Sequence, residues 1–339
     1  MTHKLAEVAK RVGVSEATVS RVLNGKSGVS DTTRSAVLTA LDVLGYERPT
    51  QLRGVRARLV GLVLPELQNP IFPALAEVVG GTLVQQGFTP VLCTRTVGGL
   101  TEAEYVSMLL DQHVSGVVFC GGMTVGEHQR LLDRGVPVVL LNAAVDHVGF
   151  PMVSTDDAAA VELAFGHLST LGHRDIGLLV GPAGHIPSER KIAAFTRLAA
   201  RAGIEVGGRI GHALFSFEGG QAIAAELIAA GARALICGSD IIALGAVRAA
   251  RRAGLSVPRD FSVIGFDDSA LMSYIDPPLT TLRQPIETMA RSAVALLTDQ
   301  ITGAALAPRE LLHVPELVVR GSTAPAPARA AAAGEKVLQ

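Results

Sequence analysis

The chain has 339 residues, 48% of them hydrophobic, with a net charge of −1, three cysteines and no tryptophan. That is too long for one small module and enough for a small head plus a large buried core. Three cysteines (Cys93, Cys120, Cys237) without metal-ligand spacing exclude a disulfide scaffold or zinc module and read as buried thiols. No apolar run approaches the ~20 residues of a membrane span. The polar, amphipathic start is not a secretory leader, so the expected compartment is the cytoplasm and no membrane is expected as partner.

The near-neutral total conceals a division. Residues 1–58 carry ten Lys/Arg and five acids, a net +5, which leaves −6 for the rest. A basic head on an acidic body confines attraction for phosphates to one end. Within the head, Leu5, Val8 and Ala9 form the apolar stripe of a first helix, and Gly13 ends it. Ser15 caps a second helix starting at Glu16, with Val19, Val22 and Leu23 inward and Ala17, Thr18, Arg21 and Asn24 on or beside the outer face. Ser30 caps a third helix, whose apolar positions are Val37, Leu38, Leu41 and Leu44 and which Gly45 stops. Val8, Val19, Val22, Val37 and Leu41 are the expected core. Two short amphipathic helices about a glycine occur in many folds, but they also make a helix-turn-helix, and small residues plus one long cation suit a major groove.

Residues 47–58, ERPTQLRGVRAR, have the composition of a linker. Beyond them the pattern changes. Apolar runs at 59–64, 90–93, 116–120 and 136–141 alternate with helical stretches at about 71–87, 101–113 and 124–134. The same grammar returns with runs at 176–180, 234–237 and 261–266, and with helices at about 156–172, 188–203, 217–231 and 240–254. Buried parallel strands separated by helices predict two α/β lobes whose strand ends face one cleft. The last stretch, 322–339, is low in complexity and reads as disordered.

The string A-E-V-A-K-R-V-G-V-S-E-A-T-V-S-R-V-L-N-G resembles the DNA-binding head of the LacI/GalR family of bacterial repressors. NPIF (69–72), VSGVVF (114–119), HLSTLGHRDIGLL (167–179), SERKIAAF (188–195), SDIIALGAVRAA (239–250), PRDFSVIGFDD (258–268) and PPLTTLRQP (277–285) extend that resemblance to about residues 4–321. ERPTQLRG and LVLPELQNPIFPALAEVVGG are most similar to the family's actinobacterial maltose-type regulators.

The resemblance implies a helix-turn-helix head at 1–46, a hinge at 47–58 and a two-lobed periplasmic-binding-protein-like α/β core at 59–321. It places the N-lobe at about 59–153 plus 285–311 and the C-lobe at about 154–284 plus 312–321. The implied protein is a homodimeric, allosteric repressor of sugar-utilisation genes. Its partners are a double-stranded DNA operator and a small sugar, with maltose or a malto-oligosaccharide expected, and it uses no cofactor or metal. For DNA, the resemblance implies phosphate contacts from Ser15, Ser20, Ser30 and Thr33 and base reading by Glu16, Ala17 and Arg21, with Thr18 and Asn24 beside them. Arg21 would fork onto a guanine. Leu52 matches the family's minor-groove wedge, although this hinge is a few residues shorter than usual and lacks the P-N-x-x-A-R stretch. For the ligand it implies Asn69, Phe72, Asn142, Arg190, Ser239, Asp240, Asp267 and Gln284. Asn142 and Ser239 stand where the family more often has Asp and Asn.

Two other classes fit less well. A transport-type solute-binding protein would explain the body but not the basic head. A Rossmann-type enzyme would need a G-x-G-x-x-G after the first strand, where the chain has GLVLPELQNP, or a nucleophile with its base, and none stands at a recognisable elbow. His167 and His173, at a helix end, are read as capping or packing residues.

Overall fold

The computed structural model describes residues 2–23, 28–43, 58–95, 99–121, 130–144, 149–304 and 309–327. The chain divides into two compact units, residues 1–59 with 87–89, and residues 60–86 with 90–339.

The head is three helices: α1 (Thr2–Val12), α2 (Glu16–Leu23) and α3 (Asp31–Val43). Gly13 ends α1 with φ at +73°, and the Val14 N–H donates back to the Ala9 carbonyl at 3.0 Å, the six-to-one closure of a glycine C-cap. Both expected caps form: Ser15 Oγ accepts from the Thr18 N–H at 3.1 Å, and Ser30 Oγ accepts from the Thr33 N–H at 3.2 Å. Val8, Val19, Val22, Val37 and Leu41 are fully buried together, with Ala9 and Ala40 filling the gaps. Residues 47–57 of the hinge, with Leu52, lie outside the described residues, as do Asn24, Leu44 and Gly45.

The body is built on two six-stranded sheets. The first contains β1 (Leu59–Leu64), β2 (Thr89–Thr94), β3 (Gly116–Cys120), β4 (Val138–Leu141), β5 (Met152–Thr155) and β11 (Glu310–His313), in the order β11-β5-β4-β3-β1-β2. The second contains β6 (Ile176–Val180), β7 (Ile210–His212), β8 (Ala234–Cys237), β9 (Ser262–Asp267), β10 (Thr280–Arg283) and β12 (Glu316–Val318), in the order β12-β10-β9-β8-β6-β7. The two orders are the same doubly wound pattern. Each reverses between its first and third strands, and ligands of such sheets lie beyond the carboxyl ends at that reversal. The strands that every expected apolar run predicted are present, and β1, β3 and β4 are buried almost throughout, as parallel strands covered on both faces must be.

The helices are α4 (Ile71–Gln85), α5 (Glu102–Asp111), α6 (Asp157–Thr170), α7 (Ile186–Arg201), α8 (Phe217–Ala229), α9 (Asp240–Arg252) and α10 (Ile286–Ile301). They match the expected helices to within a few residues. Of the stretch 124–134, residues 130–133 are helical and 124–129 lie outside the described set. Elements β5, β7, β10, β11, β12 and α10 had no sequence expectation. The strands among them are three or four residues long and mostly mixed in polarity, too short for a periodic signal.

The chain passes between the lobes at Asp156, at Gln284–Pro285 and at Val314–Pro315, two to three residues beyond two of the expected boundaries. Ser154 and Thr155 still belong to the first sheet, paired with Leu312 and His313 of β11, so the N-lobe runs to 155 and 313 rather than to 153 and 311.

The start of the stretch 322–339, expected to be disordered, is ordered. Residues 322–327 are tied to the C-lobe. Fully buried Ser322 donates to the Val263 carbonyl at 2.6 Å and accepts from the Thr280 N–H at 2.8 Å. His167 Nε2 lies 2.9 Å from Thr323 Oγ1, His173 Nε2 lies 3.0 Å from the Ala324 carbonyl, and the Ala326 N–H donates to the Leu171 carbonyl at 2.8 Å. Those two histidines therefore hold the tail. Residues 328–339 lie outside the described set. All three cysteines are buried thiols whose pKa burial raises, that of Cys120 to about 12.

Candidate functional site

In the head, the capped start of α2 fixes its phase. Val19 and Val22 are buried, so Glu16, Ala17, Ser20 and Arg21 are exposed on the opposite side, with Thr18 half-buried beside them. Ser15 and Ser30, at the two helix starts, are exposed with their hydroxyls 2.9 and 2.8 Å from those of Thr18 and Thr33. The structure thus places hydroxyls at two helix N-termini, where amides favour a phosphate, and leaves Arg21 on the exposed side of α2.

In the body, a cavity of about 640 Å³ lies between the carboxyl ends of the two sheets. Its wall is made by the residues that follow each strand: Glu66 and Asn69 after β1, Asn142 after β4, His185 after β6, Phe215 after β7 and Ser239 after β8. Asn69, Phe72, Asn142, Ser239, Asp267 and Gln284, expected from the sequence as ligand contacts, all line it. Phe72 reaches the wall because residue 121 is glycine. A Cβ there would stand 2.7 Å from the Phe72 ring, and φ is +80°.

Two expected ligand contacts are not in the lining. Asp240 is buried and turned into the C-lobe, where it accepts from Thr281 Oγ1 at 2.6 Å and from the Ser269 N–H at 2.7 Å. Burial, opposed by those bonds, pushes its carboxyl up to about 6. Arg190 crosses to the other lobe, where both its terminal nitrogens donate to Glu310, at 2.6 and 2.8 Å. The cation that α7 places in the wall is the next residue, Lys191. It is ion-paired with Asp157 and sits 4.3 Å from the centre of the Phe266 ring. The helix period carried that signal: Ser188, Lys191 and Phe195 share the buried face of α7, and stepping back four residues from Phe195 arrives at Lys191, not Arg190. Asp157, Thr155, Glu66, Arg95, His185, Phe215 and Phe266 also line the cavity without having been singled out.

Asp267 is the centre of the site's chemistry. It is 4% exposed and holds a strained φ of +120°. Its Oδ1 accepts from Gln284 Nε2 at 2.7 Å, and Gln284 Oε1 in turn accepts from Thr155 Oγ1 at 2.7 Å, a chain that runs from the C-lobe to the N-lobe. Its Oδ2 is buried without a partner among the described residues. Burial raises this carboxyl well above the usual range, and the Asp240 carboxylate adds to the effect. Asp157 is raised by burial against the opposing pull of Lys191, and Glu66 by burial against that of Arg95. His185 is pushed down to about 4 by burial and then by Lys191, so it is neutral at physiological pH. Its ring meets Phe215 edge-on at 5.4 Å. The wall therefore carries acids and bases in near balance, polar planar groups and aromatic faces. Among the described residues no three His, Cys, Asp or Glu side chains converge as a metal site requires, and no helix is long and apolar enough to cross a membrane.

Residues 4–49 match the family model for bacterial regulatory proteins of the lacI family, and residues 165–323 match a periplasmic binding protein-like domain. The HTH-type transcriptional regulator MalR of Streptomyces coelicolor is 51% identical over 338 residues, which cover 96% of this chain and 98% of MalR. The chain belongs to the LacI family. Solved LacI-family structures have the same fold. The transcriptional regulator CelR in complex with cellobiose has a TM-score of 0.72 at 32% identity, with 94% of this chain and 99% of CelR covered. The lac repressor dimer bound to operator and the anti-inducer ONPF has a TM-score of 0.75 at 29% identity, with 94% and 98% covered. As a LacI-family member the protein is a DNA-binding transcriptional regulator and not an enzyme.

Proposed function

We propose that the protein is a homodimeric repressor of sugar-utilisation genes whose operator affinity is switched by a neutral sugar, maltose or a malto-oligosaccharide, in the interlobe cavity. The observation that carries the ligand reading is the unpartnered, buried Asp267 Oδ2 in the cavity wall. An unmade hydrogen bond on a buried carboxylate is costly, and a ligand hydroxyl would satisfy it. Asn69, Asn142, Gln284 and Ser239 offer further donors and acceptors, and Phe72, Phe215 and Phe266 offer faces to the apolar side of a pyranose. At ~30 Å³ per water the volume holds about twenty waters, more space than a single sugar ring needs, which favours a disaccharide or longer. The similarity to MalR and to CelR bound to cellobiose supports the same class.

On DNA, two heads grip a near-palindromic site. Arg21 forks onto guanine O6 and N7, while Glu16 and Ala17 meet neighbouring base edges, and Ser15, Ser20, Ser30 and Thr33 hold phosphates. Leu52 wedges into the minor groove between the half-sites. Sugar acts through its different affinities for two lobe arrangements, which is the only way a ligand can move the equilibrium.

The test is operator binding by fluorescence anisotropy at fixed salt, on a near-palindromic site from the protein's own upstream region, with maltose, maltotriose, galactose and ribose titrated in turn. Displacement by a malto-sugar alone is the expected result. Tight binding unmoved by any sugar would sink the effector reading and leave the DNA role.

A further inference from the structure

Arg190, which the sequence reading assigned to the ligand, does something else in the fold. It stands on the second turn of α7 in the C-lobe, and Glu310 opens β11, the edge strand of the N-lobe sheet. Their contact is two-pronged, Nη1 to Oε1 at 2.6 Å and Nη2 to Oε2 at 2.8 Å, with the side chains 34% and 17% exposed. We propose that the Arg190–Glu310 fork is an interlobe clasp that holds the lobe arrangement described here and so sets the balance on which the effector acts. The inference rests on the reading that sugar changes the angle between the lobes.

Three observations support it. The first is leverage. Glu310 is three residues before His313, where the N-lobe part of that crossing ends, which is roughly 10 Å at ~3.3 Å per residue. A rotation of about 10° around the crossing displaces Glu310 from Arg190 by roughly 1.7 Å. Bonds of 2.6 and 2.8 Å survive that displacement only if both side chains leave their present rotamers, whereas bonds at the crossing itself are barely moved. The second is geometry. A planar fork on a carboxylate needs both prongs aligned, so it favours one angle where a lone lysine would tolerate many. The third is position. Asp157, paired to Lys191 in the cavity wall, lies within the electrostatic reach of both Arg190 and Glu310, which act on it with opposite signs. Opening the clasp therefore alters the charge balance at the cavity wall, and occupying the cavity alters the clasp. Arg190 and Glu310 are positioning residues; neither lines the cavity.

The test is a double-mutant cycle with a charge swap, read in two ways. One is operator affinity by anisotropy, without sugar and with maltose. The other is the interlobe distance by paired spin labels on Asp111→Cys in the N-lobe and Arg201→Cys in the C-lobe. Both positions are exposed, the three native thiols are buried, and labelled chains are diluted into unlabelled ones. Arg190→Ala, Glu310→Ala and the double variant should broaden the distance distribution alike. They should also shift sugar-free operator affinity by the same roughly two- to five-fold, the size of a partly exposed pair. Arg190→Glu with Glu310→Arg should restore both. Unchanged distances, a double variant equal to the product of the singles, or a swap without rescue would overturn the clasp. Maltose without effect on the wild type would overturn the effector reading instead, and the sugar-free cycle would still decide the clasp.

Discussion

Asp267→Asn should move two properties in opposite directions. The amide is nearly isosteric, and its Oδ1 can still accept from Gln284 Nε2 at 2.7 Å, so the Thr155–Gln284 chain survives. What changes is the atom in the place of Oδ2, the buried oxygen without a partner. A carboxylate oxygen able to accept from a sugar hydroxyl becomes an amide NH₂ that can only donate. Losing one partner of a buried hydrogen bond costs ~1–3 kcal/mol, so maltose affinity should fall roughly 5- to 150-fold. Folding should gain. The native carboxyl is raised well above its ordinary range by burial, which means the charged form destabilises the folded protein at neutral pH. Removing the charge should therefore raise the melting temperature at pH 7. The sign follows from linkage: a carboxyl raised in the folded state loses stability as pH climbs past its unfolded value, and asparagine has no such loss. Isothermal titration with maltose gives the first quantity, and thermal melts at pH 7 and pH 5 give the second, with the gain smaller at pH 5. A variant that binds maltose as well as wild type would refute the assignment of Oδ2 to the ligand. One that is destabilised at pH 7 would refute the argument about its charge.

Arg21→Ala should remove ~1–3 kcal/mol of preference for the operator over mismatched DNA while maltose affinity stays unchanged, as competition anisotropy and calorimetry would show. Ser322→Ala strands the Val263 carbonyl and the Thr280 N–H together, so chemical denaturation should show a loss of ~2–4 kcal/mol, where a freely disordered tail would show none. His185, neutral and pushed down to about 4, should make the body lose stability as pH falls from about 6.5 towards 4, since only the unfolded chain takes up the proton over that range. His185→Gln should flatten the melting temperature of the body across that window.

The elements with a strong internal rule were legible in the sequence. The head was written in three consecutive signals: the glycine end of α1, the serine caps of α2 and α3, and a valine-leucine stripe that could bury only one way. The long parallel strands were legible because burial on both faces leaves a continuous apolar run. Four of the expected ligand residues that line the cavity, Asn69, Asn142, Ser239 and Asp267, follow or end such strands, where the fold rule for strand ends expects a ligand. Tertiary structure decided the rest, because it depends on partners distant in sequence. Arg190 and Lys191 are neighbours in the chain, but a helix turns ~100° per residue. One therefore faces the cavity, and the other faces a glutamate 120 positions away. Asp240 looks like a ligand residue until Thr281 and Ser269 claim both its oxygens. The short edge strands and the buried tail have no pattern of their own. They are ordered by the backbone groups of strands already in place, and only the folded chain supplies those.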